Sequence, residues 1–403
     1  MNSIKWSKNI LPKTEDKYLS LVNQEEAMRA RSFHKSFPQY SITPLTALKN
    51  AAADMGLGGI YVKDESYRFG LNAFKVLGGS YAIGRFVAQT LKKDISETDY
   101  CYLTSADFSK NFPPCTFFTA TDGNHGRGVA WSAKELGQKA VVLMPKGTVS
   151  SRFENIKKLG ADVTIEDMNY DDCVRKAAEL SAKTPASAVI QDTAWDGYEE
   201  IPSWIMQGYT TMVDEALEQL SALGIDRPTH VFLQAGVGSM AAAAAGYIVN
   251  RFPNNPPKIV LMECSAADCF YRSAIEGSGV AEAVGGDLAS IMAGLCCGEA
   301  NTIAWDILKN HVDAFLSCED VISANGMRRL GCPVKGDAPV VSGESGAVAM
   351  GVIDALCRKN EYPELKAHLG LDETSHILFI STEGDTDPER YRKIVWEGAF
   401  HNE

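Results

Sequence analysis

Between residues 116 and 193 short apolar runs alternate with amphipathic segments, and this alternation limits the fold more than any other feature of the chain. Thr116–Thr121 (TFFTAT) reads as a buried strand, and Ala140–Met144 (AVVLM), Ala161–Ile165 and Ala186–Gln191 (ASAVIQ) read as further strands. His125–Gln138 carries Val129, Ala133 and Leu136 at helical spacing. Ser151–Leu159 opens on a capping-box pattern, Ser151 with Glu154, and closes at Gly160, and Tyr170–Ala182 is a third helix. Strand and helix in this order predict right-handed βαβ units and a parallel sheet. Open α/β sheets bind ligands in the loops that leave the carboxyl ends of their strands.

The alternation returns later. A long helix near Pro202–Leu220 places Ile205, Tyr209, Met212, Leu217 and Leu220 on one stripe. Strand Thr229–Gln234, a glycine loop, an alanine-rich helix and strands Lys258–Glu263 and His376–Ser381 follow, and an earlier strand covers Gly59–Lys63. The 403 residues suggest two to three domains at about 150 residues each. We expect two open twisted α/β domains with a ligand in the cleft between them. Residues 1–89 and 233–403 form the large one, and 90–232 form a small one inserted in it. The polar stretch of about 1–40 is expected as a helical or irregular extension that packs on the body.

Charge narrows the partners. Lys and Arg number 39 against 51 Asp and Glu, a net charge of −12 without a basic block. Nucleic acid and anionic membrane surfaces are therefore poor partners, and a small-molecule ligand is the better expectation. The start, Met1 to Lys8, is polar and shows no apolar signal core. The longest apolar run, around Met240–Val249, is about half of the ~20 residues a membrane span needs. The ten cysteines form neither a CxxC pair nor zinc-type Cys/His spacing, which suits reduced thiols in a cytoplasmic chain. Cys269 and the Cys296/Cys297 pair are candidates for proximity.

Several loops can carry chemistry. Lys75 sits in Asn72-Ala73-Phe74-Lys75-Val76-Leu77-Gly78-Gly79, an otherwise apolar stretch. Desolvation there lowers an amine's pKa and frees it for Schiff-base chemistry, although a lysine can also snorkel to the surface. Thr121-Asp122-Gly123-Asn124-His125-Gly126 joins a strand to a helix, where backbone N–H groups can cradle a carboxylate or phosphate. Asp122 and Asn124 could instead cap that helix. Gln234-Ala235-Gly236-Val237-Gly238-Ser239-Met240 admits a phosphate, or is a simple strand–helix turn. Its spacing fails the dinucleotide fingerprint because Ala241 occupies the third glycine position, and no Walker lysine follows. Ser381-Thr382-Glu383-Gly384-Asp385-Thr386-Asp387 offers hydroxyls to a ring nitrogen, or is a polar turn. Ser342-Gly343-Glu344-Ser345-Gly346 reads as a helix start. Asp122, Asp192, Asp385 and Asp387 lack a spacing that favours a metal, and none is expected. HExxH, GxSxG and the kinase motifs are missing.

A reactive lysine, an Asn-His-Gly loop, a glycine loop and a Ser/Thr loop in this order resemble the fold-type II pyridoxal-phosphate enzymes, the tryptophan synthase β and serine dehydratase group. Lys63-Asp64-Glu65-Ser66, Met168-Asn169-Tyr170-Asp171-Asp172, Gln191-Asp192-Thr193-Ala194-Trp195 and Ile291-Met292-Ala293-Gly294-Leu295 extend the likeness toward the diaminopropionate ammonia-lyase subgroup, from about residue 35 onward. Ala73 and Asp122 stand where the broader family usually has a serine and a small or hydroxyl residue, and the subgroup shares both departures.

The resemblance implies a carbon–nitrogen lyase that uses pyridoxal 5'-phosphate. It would convert D- and L-2,3-diaminopropionate to pyruvate and two ammonia by β-elimination, through a Lys75 aldimine and aminoacrylate. It implies that Lys75 holds the cofactor and that Asn124 meets its phenolic oxygen. Gly236, Val237, Gly238, Ser239 and Met240 would bind its phosphate, Ser381 or Thr382 would meet the ring nitrogen, and Glu344 would line the cofactor. Thr121, Gly123 and His125 would receive the substrate carboxylate, and Asp192 the side-chain ammonium. Lys75 would be the base for the L isomer and Asp122 for the D isomer. It also implies a homodimer. A D-serine or threonine dehydratase of the same fold is the closest alternative, and a non-catalytic binder of pyridoxal phosphate or amino acids the next.

Overall fold

The computed structural model describes residues 3–401. Among the described residues eleven strands form two sheets. They are β1 (Ile4–Lys8), β2 (Leu45–Ala47), β3 (Gly59–Asp64), β4 (Thr116–Ala120), β5 (Lys139–Met144), β6 (Asp162–Ile165), β7 (Ser187–Val189), β8 (His230–Gln234), β9 (Lys258–Cys264), β10 (Ala314–Cys318) and β11 (His376–Ser381). The smaller sheet has the order β6-β5-β4-β7 and is parallel throughout, as the alternation predicts. The larger has the order β1-β10-β9-β8-β11-β3-β2. Its five inner strands are parallel, and both edge strands run antiparallel.

Two local expectations are corrected. Ile4–Lys8 is a strand rather than an irregular extension: it pairs with β10, Ile4 opposite Cys318, and Ile4 is buried in the core. The segment behind it contains the helix Gln24–Lys35. The second concerns the capping box at Ser151. The helix starts at Ser150 behind Val149, whose extended backbone serves as the cap without a side-chain hydrogen bond.

One apolar core joins the sheets. Phe117, Val142 and Ile190 on the small-sheet side share it with Leu233, Ile259 and Ile380 of the large sheet. The helix Val76–Leu91 runs through this core between the helices Asn124–Glu135 and Glu200–Ala222. Two glycines permit that approach. A Cβ at Gly208 would lie 2.4 Å from the Leu77 carbonyl oxygen, and one at Gly128 would lie 2.8 Å from Val76 Cα. Packing this tight holds the start of the helix in place.

The Lys63-Asp64-Glu65-Ser66 motif does structural work outside the cleft. Lys63 Nζ donates to Glu215 Oε2 at 2.8 Å, and Arg68 donates to both Glu65 and Glu215 at 2.7–2.8 Å, all fully buried. Burial opposes the charge on Glu215, but Arg68 and Lys63 outweigh it and keep its carboxyl below the usual range. The network ties β3 to the helix Glu200–Ala222. Among the described residues no helix is long and apolar enough to cross a membrane.

Candidate active site

A cleft of about 690 Å³ opens at the carboxyl ends of β4, β8 and β11 and beside the residues that follow β7. Lys75, Thr121, Asp122, Asn124, His125, Asp192, Gly236 to Met240 and Thr382 line it. These come from five stretches of sequence, so the fold gathers most of the expected set. Three expected residues are not on the wall. Gly123 lies between two lining residues. Ser381 is fully buried and donates to Ser342 Oγ at 2.8 Å. Glu344 opens the helix Glu344–Ile353, and its neighbour Ser345 faces the cleft instead. Burial, with Glu383 beside it, pushes Glu344 up to about 7.

Backbone pairing places Lys75. Phe74 N donates to the Thr382 carbonyl at 3.0 Å, Gly384 N donates to the Asn72 carbonyl at 3.1 Å, and Ala73 bridges Glu383. The lysine therefore starts its helix while clamped to the loop after β11. Its amine donates to Asp192 Oδ2. Burial would lower the Lys75 pKa, as the sequence suggests, yet Asp192, Tyr209 and Asp122 reverse the sign and raise it. Burial pushes Asp192 up, and Lys75 with His125 nearby overcomes that and brings it to about 2.

Asp192 is held by its own backbone: its carbonyl accepts from Ser239 Oγ and from Asn301 Nδ2, the latter at 3.1 Å. Gln191 fixes the strand end before it, accepting from Ala120 N at 2.9 Å. The Thr121 hydroxyl accepts from Gly123 N at 2.9 Å and Gly126 N at 3.1 Å, and so organises the loop. Asp122 pairs with Arg152 at 3.0 Å rather than capping the helix, whose cap is Gly123. Asn124 donates to Glu383 Oε2. Asp387 caps the helix Pro388–Val395 and Asp385 accepts from Asn72. Cys269 Sγ approaches the Cys297 carbonyl at 3.9 Å, and all ten cysteines are free thiols.

Three buried polar atoms on residues of this one cleft have no hydrogen-bond partner: His125 Nδ1, Gln234 Oε1 and Ser345 Oγ. Unmade buried hydrogen bonds cost about 1–3 kcal/mol each, so together they mark a site completed by a polar ligand. His125 Nε2–H donates to the Ile190 carbonyl at 2.8 Å, and burial, reinforced by Lys75, outweighs Asp192 and keeps the ring neutral. Its Nδ1 is thus a free acceptor. The helix Ser239–Arg251 points its first turn at the cleft, and the N–H groups of Ser239, Met240 and Ala241 lack intrahelical partners and suit a phosphate. Thr382 Oγ1 accepts from Gln234 at 3.1 Å, which leaves its proton free for an acceptor such as a pyridine nitrogen. Lysine, phosphate cradle and hydroxyl fit pyridoxal phosphate. Phe74, Tyr170, Cys297, Ser345 and Glu383 also line the cleft, and sequence reasoning gave them no role. Ser345 and Glu383 lie one residue beyond residues it did single out.

Comparison with known proteins shows the family. Residues 37–369 match the family described as pyridoxal-phosphate dependent enzyme. The diaminopropionate ammonia-lyase of Salmonella typhimurium is 49% identical over 381 residues, 94% of each chain. That of Escherichia coli strain K12 is 48% identical over 94% of this chain and 93% of its own. The crystal structure of the E. coli enzyme in complex with D-serine superposes with a TM-score of 0.91 at 44% identity, covering 98% of both chains. The same enzyme in complex with an aminoacrylate-PLP azomethine reaction intermediate gives 0.89 at 45% identity, over 99% of this chain and 98% of that one. The chain belongs to the pyridoxal-phosphate dependent enzymes of fold type II, and within them to the diaminopropionate ammonia-lyases.

Proposed function

We propose that the protein catalyses β-elimination of 2,3-diaminopropionate, in both configurations, to pyruvate and two ammonia. The observation that carries this reading is the presence of Lys75, Asp122 and Asp192 around one cleft that also holds a phosphate cradle. The cleft is taken to lie between a large unit of 1–89 and 233–403 and a small unit of 90–232.

Pyridoxal phosphate, joined to the substrate's amino group, supplies an electron sink for the pair left on Cα. The rest is done by the chain. The backbone of the Thr121–His125 loop, Gly123 included, receives the substrate carboxylate. Asn124 turns from Glu383 to the cofactor's phenolic oxygen, and Thr382 donates to its ring nitrogen. A hydroxyl there leaves that nitrogen unprotonated and favours expulsion of the β-substituent over transamination. Asp192, its lysine partner engaged elsewhere, holds the substrate's β-ammonium.

The β-nitrogen must leave as ammonia, because amide ion is far too basic, so the carboxylate that binds the ammonium also keeps the proton on it. Lys75 takes the α-proton of the L isomer and Asp122 that of the D isomer. With the cofactor bound, Lys75 would release the product as 2-aminoacrylate, which tautomerises and is hydrolysed by water to pyruvate and the second ammonia.

Purified protein incubated with each enantiomer, with and without added pyridoxal phosphate, tests this directly. Pyruvate and ammonia in a 1:2 ratio support it, and no pyruvate from either enantiomer refutes it. D-serine belongs in the same assay because the E. coli relative was crystallised with it. A carboxylate such as Asp192 favours an ammonium over a hydroxyl, so D-serine is expected as the slower substrate. The family resemblance further suggests a cytoplasmic homodimer, which sedimentation of the purified holoenzyme checks.

A further inference from the structure

Asp122 does not stand alone in the cleft. Arg152, from the helix Ser150–Lys157, donates through Nη1 to Asp122 Oδ2 at 3.0 Å and to the Asp122 carbonyl at 3.4 Å. The arginine side chain is 7% exposed against 29% for the aspartate, so the cation is the buried member of the pair. Its stem lies along the loop: a Cβ at Gly123 would sit 3.0 Å from Arg152 Cδ. Its Nε is buried without a partner, so the guanidinium has been drawn out of water chiefly to meet Asp122. Holding so long a side chain in one rotamer costs conformational entropy.

The other titratable groups facing Asp122 do not duplicate this contact. Lys75 acts on it from across the cleft, but its amine is bound to Asp192. His125 is neutral. Burial keeps Tyr170 and Cys297 protonated, and the neighbouring Cys264 thiol, with burial, keeps Cys296 protonated as well. Glu383, Glu344 and Asp387 also attract Arg152, after Asp122. Arg152 therefore pins one carboxylate oxygen, and among the described residues the other has no protein partner.

We infer that Arg152 is a positioning residue for proton transfer by Asp122, fixing the carboxylate so that Oδ1 is the oxygen presented to the substrate. The inference rests on the proposed role of Asp122 as the base for the D isomer. A base held within hydrogen-bond reach of its proton works far faster than one that samples several rotamers, and misplacement by about 1 Å can cost about 100-fold. The role predicts selectivity, because Lys75 is oriented independently of Arg152.

The test compares Arg152→Met, Arg152→Lys and Asp122→Asn holoenzymes on D- and L-diaminopropionate, each with and without α-deuterium. Arg152→Met is expected to lower kcat for the D isomer by about 30- to 100-fold and to change the L isomer by less than about threefold. The deuterium isotope effect should rise on the D isomer alone, because proton transfer becomes slower there. Arg152→Lys should restore at least about tenfold of the loss. Pyridoxal phosphate affinity, read by fluorescence titration of the apoprotein, should stay within about twofold. Equal losses on both isomers overturn the inference, as does a D-isomer loss confined to KM with an unchanged isotope effect, which would make Arg152 a substrate-carboxylate contact. If Arg152→Met does not accumulate as folded holoenzyme, Arg152→Gln takes its place: equal losses on both isomers, or an unchanged isotope effect on the D isomer, overturn the inference. Asp122→Asn separates the two levels. If it impairs both isomers alike, the underlying assignment of Asp122 fails; if it is D-selective and neither Arg152 variant is, only the role of Arg152 fails.

Discussion

Lys75 and Asp192, 117 residues apart in the chain, form an ion pair in the cleft, the carboxylate buried and the amine partly exposed. Each holds the other in its charged form. The lysine is thereby stored as an ammonium, and the carboxylate that later meets the substrate is already ionised.

The pair makes stability depend on acid. A carboxyl held at about 2 in the folded chain, against an ordinary 3.8, contributes on the order of 2 kcal/mol above pH 4. The contribution is present above the unfolded value and is lost as pH falls through the folded one, between about 4 and 2. Urea unfolding of the cofactor-free protein across this range should show the loss, and Asp192→Asn should lack it. A variant that loses stability with the same slope would exclude Asp192 as its source.

Lys75→Ala should remove the Schiff-base absorbance of the holoenzyme and lower turnover of both enantiomers by at least about 1,000-fold. Spectra recorded after dialysis against pyridoxal phosphate decide the matter. A retained band would mean that another amine holds the cofactor.

Asp122→Asn is close in size and cannot accept the α-proton. Turnover of the D isomer should fall by about 100-fold or more while the L isomer keeps most of its rate, as expected for loss of one general base. The ratio of the two initial rates, measured in one preparation, is the readout.

Arg68→Met tests the buried network away from the cleft. Removing the arginine leaves Glu65 and Glu215 short of a cation in a dry interior, and such losses cost about 3–5 kcal/mol. Thermal unfolding should show the drop, with KM for diaminopropionate nearly unchanged in the protein that remains folded.

The parallel sheets were legible because most of their strands are apolar runs separated by periodic helices, while the largely exposed β6 was readable from its place in that alternation. β8, β9 and β11 are buried along almost their whole length and read the same way. β1, β2 and β10 were not legible. β1 is polar apart from Ile4 and Trp6, and its partner lies more than 300 residues away, so its pairing leaves no local trace. β2 has three residues. The ligand loops were visible for a related reason: glycine, asparagine and hydroxyl residues follow apolar strands.

Which neighbour of a pair faces the ligand was harder to read. Ser381 ends β11 and turns to Ser342, while Thr382 turns to Gln234 and the cleft. Glu344 and Ser345 differ in the same way at a helix start. Arg152 was hidden entirely, because nothing near it in sequence shows that its helix leans on the Asp122 loop.

The helix that begins after Lys75 is wedged between two others at points where only glycine leaves room, and Gly128 comes within 3.1 Å of the Lys75 carbonyl carbon when given a Cβ. The lysine's Cα is therefore a stationary pivot. Its amine travels only on the arc that four methylenes allow, from Asp192 at one end toward whatever occupies the cleft. Ligands are sorted by whether their reacting atoms fall on that arc. A change of substrate preference would have to be written into the opposite wall, among Asp122, Tyr170, Cys297 and Ser345, because the pivot itself has nowhere to go.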